Sequence, residues 1–348
     1  MDVDQILRSA GLDPRLIPED LADNPWFELC VKDLSALCEL SLDEPLNFTF
    51  NVSPTVQARI LYNSRLVVMY GGMFNAFCRL AAKIVSSGAF IEFEGGVEPD
   101  WLPEECLTAD PVLPHLSTGM HWKLESVGWK DKPERQVLFM YLVLTLSRFV
   151  TLHEVGHVYH GHDRRFANSG DELCDVDAAN PTVLPLEESI PSQAREILAD
   201  DFAFKRLRQC MTRELQSKAD TPAAKLLRAK LLGDESKITR FLLHVTHLYF
   251  HMMDRHDWML VDYKKMTHPP APFRQQSLYV LAQELGFEGM SAEETENYLA
   301  ATHHASELLV AVVHQQLPPF AVYGIHEQEK FHELYEMIYG ELPNWSRK

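Results

Sequence analysis

Apolar and polar positions follow a helical period over most of the chain. From residue 134 onward, apolar side chains recur at intervals of three and four residues, which is the signature of amphipathic or buried helices. Pro181, Pro185 and Pro191 indicate a loop over 163–191, and Ser192 is the expected N-cap of the next helix. The helices are predicted over 73–86, 134–160, 192–217, 222–232, 236–256, 274–285, 291–316 and 326–339.

A strand pattern is confined to the N-terminal third, where a hairpin is predicted between Ala58 and Tyr70 with its turn at 63–65. A short strand over Ala89–Phe93 is a second candidate. Residues 1–44 look helical, and 94–133, rich in Pro, Gly and Trp, are expected to be irregular. The predicted fold class is therefore mainly α with a small β-sheet (α+β).

Composition and charge narrow the function classes. The 348 residues carry 32 basic and 50 acidic side chains, so the formal charge is 32 − 50 = −18. This balance argues against nucleic-acid binding and against an anionic membrane surface. The most apolar run, Val137–Ser147, is expected to be a buried helix and not a membrane span. The six cysteines contain no Cys-x-x-Cys pair, which is typical of reduced thiols in a cytoplasmic protein.

The strongest chemical signal is His153-Glu154-Val155-Gly156-His157. Two histidines at i and i+4 lie on one face of a helix, so both imidazoles can reach one zinc ion. The Glu that follows the first His can take a proton from a water molecule at the metal. Because the preceding segment is almost wholly apolar, this helix should be buried, and a metal would satisfy its polar groups. The pattern predicts one Zn²⁺ per chain.

A zinc site of this kind needs a third protein ligand, and two candidates compete. Asp163 lies six residues after His157, as in the metzincin arrangement, but Gly161 is one residue later than that arrangement requires. Glu196 and Asp200 are spaced i and i+4 on a later predicted helix. There Glu196 would bind the metal, while Asp200 would accept a hydrogen bond from the far nitrogen of His153.

With Glu-Ile-Leu-Ala-Asp-Asp-Phe-Ala at 196–203, the chain resembles the small gluzincin metallopeptidases. Thr-His-Pro-Pro-Ala-Pro-Phe-Arg at 267–274 is similar to a third element of their membrane-bound members. The chain also resembles soluble phage-exclusion peptidases that carry H-E-x-x-H. The resemblance implies a zincin-like metallopeptidase core with extra helices. The resemblance covers about residues 60–280. The predicted organisation of the chain is an N-terminal helical extension (1–44), a zincin-like catalytic domain (45–290) and a C-terminal helical region (291–348) packed on it.

The resemblance implies hydrolysis of a peptide bond in a protein or peptide substrate. His153, His157 and Glu196 would hold zinc, and Glu154 would be the general base. His268 or Arg274 would stabilise the oxyanion from across the cleft. An extended substrate would pair with an edge strand beside the metal helix, for which Leu66–Tyr70 is the first candidate and Ala89–Phe93 the rival.

Other interpretations remain open. His244, His247 and His251, with Asp254, form a stripe on the predicted helix 236–256 that is either structural or a second metal site. His160 and His162 are expected to line the cleft or face solvent, and His303 and His304 to be structural. Glu154/His157 and Glu329/His332 are both Glu-x-x-His pairs, so a di-iron carboxylate oxidase is an alternative. A catalytically inactive peptidase fold that acts as a scaffold or sensor is another.

Overall fold

The computed structural model describes residues 2–13, 25–90, 92–93, 129, 131–166, 185–253, 262–314 and 325–347. It is mainly helical with a small three-stranded sheet, as the sequence predicts. The strands are β1 (Asn47–Asn51), β2 (Ala58–Leu61) and β3 (Leu66–Tyr70). The helices are α1 (Val3–Ser9), α2 (Pro25–Leu40), α3 (Gly71–Ser86), α4 (Pro133–Tyr159), α5 (Leu186–Gln216), α6 (Pro222–Lys230), α7 (Glu235–Met253), α8 (Ala271–Leu285), α9 (Ala292–His314) and α10 (Ile325–Trp345).

The predicted start of α5 at residue 192 is wrong, because the helix begins at Leu186 and contains Pro191. A proline inside a helix removes one backbone hydrogen bond and usually ends the helix. Here tertiary contacts hold the first turns in place. Ser189 donates a hydrogen bond to the carbonyl of Lys264, and the Gln193 side chain donates to the carbonyls of Tyr263 and Met266.

Strand β3 is the central strand of the sheet, so its predicted role as an edge strand is wrong. It pairs in parallel with β1 and antiparallel with β2, in the order β1-β3-β2. The predicted hairpin is thus confirmed, but both sides of β3 are already hydrogen-bonded and cannot accept a peptide. The rival, Ala89–Phe93, is not a strand at its described positions; Ile91 lies outside the described residues, as does most of 94–133 and of 163–191.

Gly72 explains how the sheet connects to α3. A Cβ atom at this position would lie 2.0 Å from the carbonyl oxygen of Pro54, so only glycine allows the loop after β1 to cross the start of the helix. The backbone N–H of Gly72 also donates to the carbonyl of Ser53. The crossing fixes the sheet against the helical layer that carries the site.

The main hydrophobic core contains side chains from the N-terminal extension, the catalytic domain and the C-terminal region predicted from the sequence, among them Phe27 of α2, Leu152 of α4 and Val310 of α9. Arg148 of α4 forms ion pairs with two other helices beside this core. Its guanidinium donates two hydrogen bonds of 2.7 Å to Asp33 of α2 and pairs with Glu214 of α5. The described cysteines are free thiols.

Helix α4 is the central, buried helix of the fold. Its length and composition would suffice to cross a membrane, yet 78 % of its most apolar window is buried by the rest of the protein. Its sides pack against α2, α3, α5 and the sheet. A helix that is apolar on all faces is expected in such a central position. The polar residues near its C-terminal end therefore lie inside the protein.

Candidate metal centre

The last two turns of helix α4 place His153, Glu154 and His157 in the interior. All three are buried, with 9 %, 6 % and 2 % of their surfaces exposed. The helix continues regularly through Tyr159, so the i and i+4 spacing brings the two imidazoles together with their ring centroids 4.8 Å apart. The carboxylate of Glu196, from α5, faces this pair.

The three side chains have the spacing of ligands around one ion. The Nε2 atoms of His153 and His157 are 3.2 Å apart, and the Glu196 carboxylate oxygens lie 3.3 Å from the former and 3.5 Å from the latter. Zinc–ligand bonds of about 2.0–2.1 Å in a tetrahedron require ligand atoms about 3.3–3.4 Å apart. His153, His157 and Glu196 therefore form a buried group that could hold a metal ion.

The electrostatics of this group favour a positive charge at its centre. Burial disfavours a charged imidazole, but hydrogen bonds to Asp200 and Glu196 outweigh it and raise the pKa of His153 to about 10. Burial likewise opposes the charge on Glu196, yet His268, His153 and His157 hold its pKa well below its usual range. In the metal-free group, protons on the imidazoles balance the negative charge of the carboxylates. A bound metal cation would take the place of these protons.

Behind His153 lies a chain of charge-assisted hydrogen bonds. The Nδ1 atom of His153 donates to Asp200 over 2.8 Å, which is the predicted contact. Arg274 of α8 donates two hydrogen bonds of 2.7 Å to the same carboxylate and lies over the ring of Phe250. The buried Asp200 is thus fully paired, and its pKa stays below the usual value although burial opposes this. The chain leaves Nε2 of His153 directed at the metal group.

This arrangement gives Arg274 a position that differs from the expected one. The guanidinium is committed to Asp200 and its side chain is only 12 % exposed, so it orients a ligand rather than facing a substrate across the cleft. His268 remains beside the metal group. Its Nε2 atom lies 3.4 Å from Glu196, its side chain is 31 % exposed, and Thr267 contacts its other nitrogen.

A partner of His157 was missed by the sequence reasoning, which expected His162 to line the cleft or face solvent. His162 is fully buried, and its Nδ1 atom lies 2.8 Å from Nδ1 of His157. Gly161 has a φ of +67° and turns the chain back after α4, as glycines at helix ends commonly do. Gly161, four residues after His157, is the sequence signal for this turn. The sequence analysis used this glycine only to show that the segment does not match the metzincin pattern.

Gly156 sets the distance between α4 and α5. An added Cβ atom would lie 3.0 Å from Cα and 3.1 Å from the carbonyl oxygen of Ala199, and 3.2 Å from Cβ of Phe202. These values are shorter than ordinary contacts, so the two helices meet at their closest where glycine is present. Because Gly156 is adjacent to His157, and Ala199 lies between Glu196 and Asp200 on α5, this contact brings the acidic residues of α5 close to the histidines of α4.

Two of the alternatives fail on position. Asp163 is exposed and does not belong to the metal group of the described residues, so Glu196 is the acidic member. His332, of the second Glu-x-x-His pair, has 73 % of its side chain exposed on α10, where it pairs with Glu336. The side chain of Glu329 lies outside the described part. A di-iron site built with His332 is therefore not supported.

Comparisons with protein-family models, with curated proteins and with solved structures gave no match for this chain.

Proposed function

We propose that this protein is a zinc-dependent metallopeptidase that hydrolyses a peptide bond of a protein or peptide substrate. The observation that carries the proposal is the ligand-spaced group of His153, His157 and Glu196, with the buried carboxylate of Glu154 next to the first ligand on the same helix. Two histidines and one glutamate are a ligand set that leaves a fourth zinc position open. The gluzincin-like order of these residues in the sequence adds to the argument.

Zinc bound here would act as a Lewis acid that polarises a substrate carbonyl and acidifies a water molecule. Glu154 follows the first ligand by one position and is not one of the three ligands, so we assign its carboxylate to proton transfer. It accepts a proton from the attacking water and then delivers that proton to the departing amine. The burial of Glu154 keeps bulk water from competing for this proton.

The remaining residues hold the site in shape. Asp200 and Arg274 fix the ring of His153, and His162 fixes the ring of His157. His268 is the donor with access to solvent beside the group, and we assign it to stabilise the developing oxyanion. An imidazole N–H that is held beside the site needs little reorganisation as negative charge develops.

The test combines metal content with cleavage of a peptide library read by mass spectrometry. Glu154→Gln should retain zinc and melting temperature but lose cleavage, because an amide cannot accept the proton. Glu196→Ala should lose zinc and cleavage together. Asp163→Ala is the matched control, an exposed carboxylate that should change neither. Zinc-loaded wild-type protein that cleaves no peptide, or cleavage retained in Glu154→Gln, would contradict the proposal, and the former result would favour the inactive scaffold.

A further inference from the structure

The histidine stripe of α7 is a structural feature and not a second metal group. Within the described part of the chain, the group described above is the one set of three or more histidine and carboxylate ligand atoms close enough to share an ion. The Nε2 atom of His247 pairs with Glu307 at 3.1 Å, and Nδ1 of His244 bonds to Ser306 at 2.7 Å. Asp254 lies outside the described residues.

A cleft of about 370 Å³ lies away from the metal centre, between the C-terminal half of α5, the start of α7 and the end of α8. Its lining contains three cationic side chains, Lys205, Arg208 and Arg213, and one carboxylate, Glu235. The formal charge of the whole chain is −18, so this cleft has the opposite charge balance to the protein around it. Sites for small ligands commonly have volumes of about 300–1,000 Å³. The size and charge of the cleft therefore suit a small anion.

The cations of the cleft come from one face of α5. Lys205, Arg208, Gln209 and Arg213 recur at intervals of three and four residues, which places them side by side on a helix. Lys205 and Arg213 are exposed, and among the described residues neither forms an ion pair or a hydrogen bond. Their charges are therefore available to a ligand that enters the cleft.

Arg208, at the centre of this face, is held in a fixed orientation. Its Nη2 atom donates to Glu235 at 3.0 Å and to the carbonyl of Gly286 at 3.1 Å, and its guanidinium lies over the ring of Phe287. Its side chain is only 11 % exposed. Within the described part of the chain, its Nε and Nη1 atoms form no hydrogen bond. A guanidinium has five N–H donors, so three remain open in a plane that the other two contacts already fix.

We propose that this cleft binds a small phosphorylated ligand, with Arg208 as the central contact and Lys205 and Arg213 on either side. A guanidinium fork matches the oxygens of a phosphate group, and a terminal phosphate has three acceptor oxygens that several cations can share. The partly exposed side chain of Leu285 offers an apolar surface to the organic part of the ligand.

The site is separate from the metal group. Arg208 follows Glu196 by twelve residues on the continuous helix α5, which corresponds to about 18 Å along the helix axis. A bound ligand would contact α5, α7 and α8 together, because the lining residues belong to these three helices. Ligand binding requires neither zinc nor peptide hydrolysis and is therefore independent of the proposed function.

Titration calorimetry with inorganic pyrophosphate tests the proposal. The full chain is first stripped of metal with a chelator, because pyrophosphate itself binds zinc. One pyrophosphate should bind per chain, with an affinity that falls as the salt concentration rises. Arg208→Gln should weaken binding at least about 10-fold, since it removes charge-assisted hydrogen bonds. Lys205→Gln and Arg213→Gln should each weaken it about 3- to 10-fold.

Lys225→Gln is the matched control for Lys205→Gln. It removes the same charge from an exposed side chain, but Lys225 pairs with Asp220 outside the cleft. Its affinity for pyrophosphate should equal that of the wild type. Citrate, a carboxylate anion without phosphate, should bind at least about 10-fold more weakly than pyrophosphate.

Three results would overturn the proposal: no binding of pyrophosphate to the wild type, equal affinity in wild type, Lys205→Gln and Arg213→Gln, or citrate binding as tight as that of pyrophosphate. Far-ultraviolet circular dichroism reports whether Arg208→Gln folds. If it does not, Lys205→Gln and Arg213→Gln decide the matter, because these exposed side chains can be changed without disturbing the core.

Discussion

Substituting Gly156 by alanine tests whether the contact between α4 and α5 sets the geometry of the metal group. The new Cβ atom would lie 3.0 Å from Cα of Ala199 and 3.2 Å from Cβ of Phe202, where ordinary contacts begin at 3.4 Å. The helices must therefore move apart by about 0.2–0.4 Å, the differences 3.4 − 3.2 and 3.4 − 3.0. Two backbone atoms of Ala199 are among the neighbours, so side-chain rotation cannot relieve the overlap.

The energetic effects of Gly156→Ala oppose each other. Replacing a helical glycine by alanine stabilises a helix by about 1 kcal/mol. Overpacking a core typically costs about 1–3 kcal/mol. A displacement of α5 also carries Glu196 away from both imidazoles, and metal–ligand distances tolerate only about 0.2 Å. We expect zinc affinity to fall about 5- to 100-fold, which corresponds to about 1–3 kcal/mol, with little gain in the stability of the metal-free protein.

Gly340→Ala supplies the control, because Gly340 is also helical but an added Cβ would meet no described atom within 4 Å. It should raise the melting temperature and leave zinc affinity unchanged. Zinc affinity is measured by competition with a chromophoric chelator, and stability by thermal unfolding of the stripped and loaded proteins. If Gly156→Ala binds zinc as tightly as wild type and is stabilised as much as Gly340→Ala, the close contact does not determine the site.

Three further outcomes are expected. Asp200→Asn should lower zinc affinity about 10- to 100-fold in the same competition assay, because the orientation of His153 is lost; unchanged affinity would contradict this role. Arg274→Ala should destabilise the protein by about 3–5 kcal/mol in urea unfolding, since it leaves Asp200 buried and unpaired, and a loss near zero would show that water replaces the guanidinium. In metal-free protein, the raised pKa of His153 stabilises the fold fully below pH 6.5 and is lost as pH rises through about 10, so the melting temperature should fall over this range in wild type more than in His153→Gln.

The residues predicted best from the sequence are those fixed by helical spacing. His153 with His157, and Glu196 with Asp200, each needed only a regular helix to place two side chains on one face. The two helices could be recognised from their apolar patterns. The histidine pair faces the acidic pair because Gly156 lets α4 and α5 approach closely. This role of Gly156 can be recognised only when α5 is packed against α4.

The features that the sequence did not reveal depend on contacts between distant segments. Strand β1 pairs in parallel with β3, so the central position of β3 could not be read from the local hairpin. The start of α5 before Pro191 relies on hydrogen bonds to residues 263–266. The contact of His162 with His157 requires the left-handed turn at Gly161, which no periodic pattern encodes.

The pairing of Arg148 with Asp33 and Glu214 has a consequence for dissecting the chain. Arg148 lies on α4 five residues before His153, and its guanidinium spans from α2 to α5. A fragment that starts at residue 45 would keep this buried cation but lose Asp33 and the apolar face of α2. We expect such a fragment to fold poorly alone and to recover when a synthetic peptide covering α2 is supplied in trans. Helix α2 would then be an integral part of the folding unit that carries the metal ligands.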